Sequence, residues 1–175
     1  VNEAFPVSHR EHASIVGVPK YLPSYAGLQL ESEIKHLSAL IKSPKSPFVV
    51  IIGGAKFKTK LPLIEKFLKV ADYVFVGGAL SNNLLRDAGY NVGKSMVEEG
   101  YDLSRILKSK KLLLPADVTV TDGKTVRNAD IADVRQSEMI IDSGALTTKV
   151  LSQIISESKT VLWNGPLGKY EDKNG

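Results

Sequence analysis

An apolar run without alternation, Phe48 to Ile52, stops on Gly53-Gly54 and is followed by Lys56, Lys58 and Lys60. A strand whose apolar residues do not alternate is buried on both faces, which belongs to parallel sheets covered by helices. The pattern then repeats. Tyr73–Val76 ends on Gly77-Gly78, and Thr160–Trp163 ends on Asn164-Gly165-Pro166. Between these runs lie stretches of helical period, so the chain is predicted to alternate strand and helix around a parallel sheet. Three strands that finish in small, turn-forming residues imply a crevice at their carboxyl ends, where main chain approaches a ligand closely. Three lysines beside it point to a phosphate-bearing ligand.

The helices are read from period. Ser24 to Ser43 carries Leu30, Ile34, Leu37 and Ile41, with Ser24 as N-cap and Ser43-Pro44 as stop. Further helices are expected over 62–69, with Pro62 in the first turn, and over 79–88, 101–110 and 146–158. In the last, Val150, Leu151, Ile154 and Ile155 share a face. Leu112–Leu114 and Val118–Thr121 flank Pro115 and read as two short strands or one broken one. Trp163 is expected in the core.

Composition narrows the function classes. With 175 residues and 43% hydrophobic content the chain builds a real core. It has no cysteine, which excludes disulfides, thiolate metal sites and cysteine nucleophiles. No apolar run is long enough to span a bilayer, and no membrane role is expected. Net charge is +4, but the basic residues are interleaved with acids and aromatics are 7%. That suits a small anionic ligand better than nucleic acid. The string GYNVGKS, Gly89 to Ser95, has three residues between its glycines instead of four and lacks a preceding strand, so it reads as a surface turn and not a phosphate loop. The first strand carries no dinucleotide fingerprint either, which leaves a nicotinamide enzyme unsupported. His9 and His12 lack a zinc-enzyme pattern and read as structural or solvent-facing.

Taken in order, these segments resemble the phosphoglycerate kinase family. VNEAF, HREHAS and AGLQLE resemble the family's VNDAF, HRAHAS and AGLLME; IIGGAKFKTK resembles GGAKV-x-DK; VFVGGAL resembles its second glycine turn; and VLWNGPLGKYE resembles WNGP-x-G-x-FE. The resemblance implies an α/β fold, a Rossmann-like doubly wound parallel sheet, incomplete here and with a short strip of a second domain. It implies a strip of the substrate domain over 1–23, an interdomain helix over 24–43 and a truncated nucleotide domain over 44–175. The chain is therefore expected to be a central fragment of a longer protein.

The implied reaction moves a phosphoryl group between 1,3-bisphosphoglycerate and ADP, giving 3-phosphoglycerate and ATP, with Mg2+ on the nucleotide. Its catalysis is positioning plus charge neutralisation. By motif, Lys60 resembles the lysine that stabilises the transferring phosphoryl, and Lys56 another phosphate contact. Arg10 resembles a basic-patch arginine that holds phosphoglycerate. Gly53, Gly54, Gly77 and Gly78 resemble the nucleotide-cleft glycines, Asn164 and Pro166 the segment beside the nucleotide, Ile141 an adenine contact, and Glu171 the acid on the ribose. A cytoplasmic, monomeric parent is implied.

The chain departs from the pattern in places. Pro6-Val7-Ser8 stands before His9-Arg10 where GTA is common, Phe57 stands where a smaller residue is usual, and Lys169 takes an apolar position. Ile140 and Ala145 occupy a glycine and a proline of GLDIGP. The family's first half and its GGGDT segment, whose aspartate serves magnesium, are not in the chain. An inactive fragment is the expectation, with a non-catalytic adenine-nucleotide module as the alternative and a structural relic with exposed sheet edges behind it.

Overall fold

The computed structural model describes residues 1–169, so Glu171 lies outside the described residues. The chain divides into two compact units, Val1–Pro44 and Lys45 onward.

In the first unit, short helical turns at Phe5–Val7, Ala13–Gly17 and Val18–Lys20 precede α1 (Leu28–Lys42). This helix starts four residues later than its periodicity predicts. Asn2 holds the intervening chain extended: its N–H donates to the Tyr25 carbonyl at 2.9 Å, and its own carbonyl accepts from Gly27 N at 2.8 Å. The Ser24 hydroxyl donates to the Leu22 carbonyl and caps nothing. The cap is remote. The Glu3 carboxylate accepts from Gln29 N at 2.9 Å and Leu30 N at 3.1 Å, satisfying two orphan donors at the positive end of the helix dipole. Leu30 is buried, whereas Ile34 and Ile41 of the same stripe are exposed.

The second unit contains a parallel sheet in the order β3-β2-β1-β7, built from β1 (Phe48–Ile52), β2 (Tyr73–Val76), β3 (Leu112–Leu113) and β7 (Thr160–Asn164). All five residues of β1 are buried, each side chain contributing about 1.5–3 kcal/mol on leaving water. Val49 and Ile51 pack with Phe75 against Leu151, Ile154 and Ile155 of α5 (Ala145–Glu157). On the other face Phe48 meets Phe67 of α2 (Phe57–Val70) edge-on, with ring centroids 6.2 Å apart. The sheet is thus covered on both sides, as the unbroken apolar runs require.

Several local expectations are corrected. Helix α2 begins at Phe57, five residues before the predicted start, and Pro62 lies inside it. Its first turn is capped from outside by Glu98, which local sequence does not reveal. The expected helix over 101–110 shrinks to a single turn, α4 (Ser104–Leu107). Val150 points to solvent. Trp163 is 58% exposed, because β7 is the edge strand and has no neighbour on its far side among the described residues.

The larger correction is a second sheet. The segment after Pro115 does not continue the parallel sheet. It forms β4 (Asp117–Thr121), flanked by β5 (Val126–Asp130) and β6 (Met139–Ser143) in an antiparallel sheet of order β5-β4-β6. Strand β4 alternates, burying Val118 and Val120. These pack with Leu85 of α3 (Ala79–Asp87), Val92, Ala129, Ile131 and Val134 in a separate core. The GYNVGKS turn keeps Gly89, Tyr90 and Lys94 exposed, as a surface turn does, but it is also docked on this sheet: Val92 and Ser95 are buried, and Gly93 pairs with Met139. Gly93 has φ +55 and lies so close to β6 that a Cβ would fall 2.2 Å from the Glu138 carbonyl. Only glycine meets both demands. Glu138 itself is buried and receives Arg127 through two 2.8 Å hydrogen bonds, which ties β5 to the start of β6.

Candidate functional site

Strands β2, β1 and β7 are adjacent, so their three small-residue endings sit side by side. The endings interlock through main chain. Gly77 N donates to the Ile52 carbonyl at 3.0 Å, and Gly53 N donates to the Asn164 carbonyl at 2.8 Å. A Cβ on Gly53 would lie 2.1 Å from the Pro166 carbonyl oxygen. One on Gly78, whose φ is +61, would lie 3.0 Å from the same oxygen and 3.1 Å from Gly54 N. The glycines are what permit three backbones to converge here.

Against this wall lies a cavity of about 550 Å³, a size that suits a small-molecule ligand. Gly54, Gly78 and Pro166 form one side of it, and Met139, Ile140 and Ile141 of β6 another. Lys169 N donates to the Ile141 carbonyl at 2.9 Å, which ties the chain after β7 directly to β6 in the cavity lining. The lining is mostly apolar, but Asn82 and Ser143 also contribute. Asn82 is 1% exposed and its amide nitrogen donates to the Met96 carbonyl. The Asn82 Oδ1 and Ser143 Oγ atoms are buried and have no hydrogen-bond partner among the described residues. Buried polar atoms rarely stay unpaired, so the cavity wall retains acceptor capacity for a polar group.

Lys60 lies in the first turn of α2, half-buried, and its ammonium donates to Asn164 Oδ1. It is the lysine that the fold brings to the glycine turns. Lys56 and Lys58 are exposed, and Lys56 occupies the N-cap position of α2 without a side-chain cap bond. Gly53 and Gly77 are buried behind the wall and shape it without lining the cavity. Arg10 belongs to the first unit, exposed, with its N–H donating to the Val7 carbonyl at 2.9 Å. Among the described residues no group of three or more histidines, aspartates or glutamates is arranged to hold a metal ion.

Two carboxylates near the site escape sequence reading. Asp117 accepts from Leu146 N at 2.9 Å and from the Thr147 N–H and hydroxyl, capping α5. Burial raises its carboxyl, but the Thr147 and Leu146 donors outweigh it and leave the group below the usual range. Glu98 accepts from Phe57 N at 2.8 Å and Lys58 N at 3.3 Å, capping α2. The Phe57 N–H, followed by that of Lys58 and the Tyr101 hydroxyl, holds the Glu98 carboxyl below its ordinary value. Neither residue lies within 25 positions of the helix it caps, so no local motif betrays them.

The phosphoglycerate kinase family model matches residues 1–174. The chain belongs to the phosphoglycerate kinase family. It is 43% identical to a phosphoglycerate kinase from Maricaulis maris, over 98% of this chain and 45% of that protein. It is 40% identical to one from Borrelia garinii, over 98% and 46% respectively. The chain therefore spans about half the length of the curated relatives it matches. The solved structure of phosphoglycerate kinase from Coxiella burnetii superposes with a TM-score of 0.79 at 33% identity, covering 85% of this chain and 41% of that one. That of the Pyrococcus horikoshii enzyme gives 0.82 at 24% identity over 98% of this chain and 46% of its own, a likeness of fold. The α/β fold read from the apolar runs and helical period agrees with that of these solved structures.

Proposed function

We propose that the cavity beside the three glycine turns receives the adenine nucleotide of a phosphoglycerate kinase, and that Lys60 meets its phosphates. The observation that carries this reading is the convergence of Gly54, Gly78 and Pro166 on one cavity, together with the bond from the Lys60 ammonium to Asn164, the last residue of β7 before the Gly165-Pro166 turn. In the whole protein a β-phosphate oxygen of ADP attacks the acyl phosphorus of 1,3-bisphosphoglycerate. The bond from phosphorus to the acyl oxygen breaks, the carboxylate of 3-phosphoglycerate leaves, and ATP forms. The magnesium enters with the nucleotide as part of the substrate.

Lys60 supplies charge to the oxygens of the moving group, where a fixed cation in a partly dry site is worth more than in water. Lys56, one turn earlier, offers a second, looser phosphate contact. Ile141 lies against the base, and Asn164 and Pro166 border the nucleotide. Glu171 takes the ribose, and Arg10 holds phosphoglycerate. In this reading residues 1–23 belong to the substrate domain, 24–43 to the interdomain helix and 44–175 to the nucleotide domain of a monomeric, cytoplasmic enzyme of glycolysis. The 175-residue chain alone binds nucleotide without turnover.

Calorimetry decides the reading. MgADP should bind the chain, and Lys60→Ala should weaken it by roughly tenfold, the loss expected for one charge-assisted contact. Adenosine, which has no phosphate, should bind both forms equally. Absence of MgADP binding, or equal affinity in the two forms, would overturn it. A coupled assay showing turnover near that of an intact enzyme would overturn the inactivity of the isolated chain.

A further inference from the structure

We propose that Glu98 is a positioning residue for the phosphate-binding lysine, acting by locking the first turn of α2 to α3. The inference rests on the nucleotide reading of Lys60. Helix α2 opens with lysines at positions 56, 58 and 60, and its N-cap residue, Lys56, makes no capping bond. Cations in that turn oppose the helix dipole and favour fraying. The compensation comes from forty residues further along. The two Glu98 carboxylate oxygens take the Phe57 and Lys58 N–H groups, one each.

Glu98 is itself held firmly. Tyr101 donates its hydroxyl to Glu98 Oε2 at 3.2 Å, and the Tyr101 ring packs edge-on against Phe57 at 5.2 Å. Asn83 of α3, which is 2% exposed, accepts from Glu98 N at 3.3 Å and donates to the Glu98 carbonyl. Helix α3 has Gly78, of the second glycine turn, as its N-cap residue. One residue thus joins the helix that bears Lys60 to the helix that starts at the cavity wall. Occupying the Phe57 and Lys58 amides has a second consequence. These two amides are closed to an anion, so a phosphate on this side relies on the Lys60 ammonium in their place.

The test measures the ratio of MgADP affinity to adenosine affinity in wild type, Glu98→Ala, Glu98→Gln, Lys60→Ala and the double variant Lys60→Ala/Glu98→Ala. Glu98→Ala should lower the ratio roughly tenfold, the factor for losing a helix cap that orders a binding side chain. Glu98→Gln keeps one acceptor oxygen and should recover part of the loss; it also serves if the alanine variant unfolds. The double variant should be no worse than Lys60→Ala, because the effect runs through that lysine. A role in general stability would lower both affinities together, or leave the ratio alone while moving the melting temperature. Either outcome overturns the proposal. A wild type that does not distinguish MgADP from adenosine overturns the nucleotide reading and this inference with it. A wild type that does, alongside an unchanged Glu98→Ala ratio, overturns the role of Glu98 alone.

Discussion

Gly53→Ala tests whether the cleft wall depends on contact between two backbones. The added methyl would sit 2.1 Å from the Pro166 carbonyl oxygen and 2.7 Å from its carbon. Ordinary van der Waals contact begins near 3.4 Å, so the turn after β7 must retreat by about 1.3 Å. Main chain cannot change rotamer to make room. The same movement stretches the 2.8 Å bond from Gly53 N to the Asn164 carbonyl, the rung that continues the β1-β7 ladder. Overpacking costs about 1–3 kcal/mol, and a weakened hydrogen bond about 1 more. The melting temperature should fall by roughly 5–15 °C for a domain of this size.

The single tryptophan reports on the same place. Trp163 Nε1 donates to the Gly165 carbonyl at 2.8 Å, so displacing the turn should also shift the native fluorescence spectrum. Gly89→Ala is the control. Gly89 has φ +94 and nothing within 4 Å of an added Cβ, so it should cost about 1–2 kcal/mol of backbone strain and leave the native spectrum unchanged. A Gly53→Ala protein with wild-type melting temperature and wild-type fluorescence would refute the close-contact argument.

Two further outcomes follow from the packing and the charges. Phe57→Ala empties a fully buried site beside Tyr101 and should cost about 3–5 kcal/mol; a urea midpoint within error of wild type would show that the 57/101 contact is not part of the core. Asp72, Glu98, Asp117 and Glu138 all have carboxyl groups held below their ordinary values, chiefly by hydrogen bonds that favour the ionised form at Asp72 (from Phe48 N), Glu98 and Glu138 (from Arg127), and at Asp117 by donors that outweigh burial. The unfolded chain binds more protons than the folded one between the two sets of values. Stability should therefore be complete above the usual carboxylate range near pH 4 and decline as pH falls through the depressed folded values. A urea midpoint that stays flat from neutrality to pH 3 would contradict this.

What the sequence showed plainly was the parallel half of the second unit. Val49–Ile52, Tyr73–Val76 and Thr160–Trp163 are legible because burial on both faces demands unbroken β-prone runs, and because glycine has to follow where backbones converge. Positive charge beside one of those turns was legible from Lys56, Lys58 and Lys60. The antiparallel sheet was not. Strand β5, VRNAD, is largely exposed, β6, MIIDS, is mostly half-buried, and both are of mixed polarity, so no run or helical period marks them, although the alternation of β4 and the Asp122-Gly123 turn were visible signals of a hairpin.

The order of the strands was also beyond the sequence. That β7, distant in the chain, lies beside β1 is decided by long-range pairing, and it is this that gathers the three turns into one wall and hands Asn164 to Lys60. The same holds for the helix starts. Glu3, Glu98 and Asp117 cap helices 25 to 41 residues away through contacts between elements, so the local sequence around Ser24 and Pro62 pointed to the wrong first turns. Local composition determined which segments form the long parallel strands and which turns after them must be glycine, since those are demands on single residues. Which ends meet, and which charges hold the lysine helix in place, depended on packing between segments, because such contacts exist only once the chain has closed on itself.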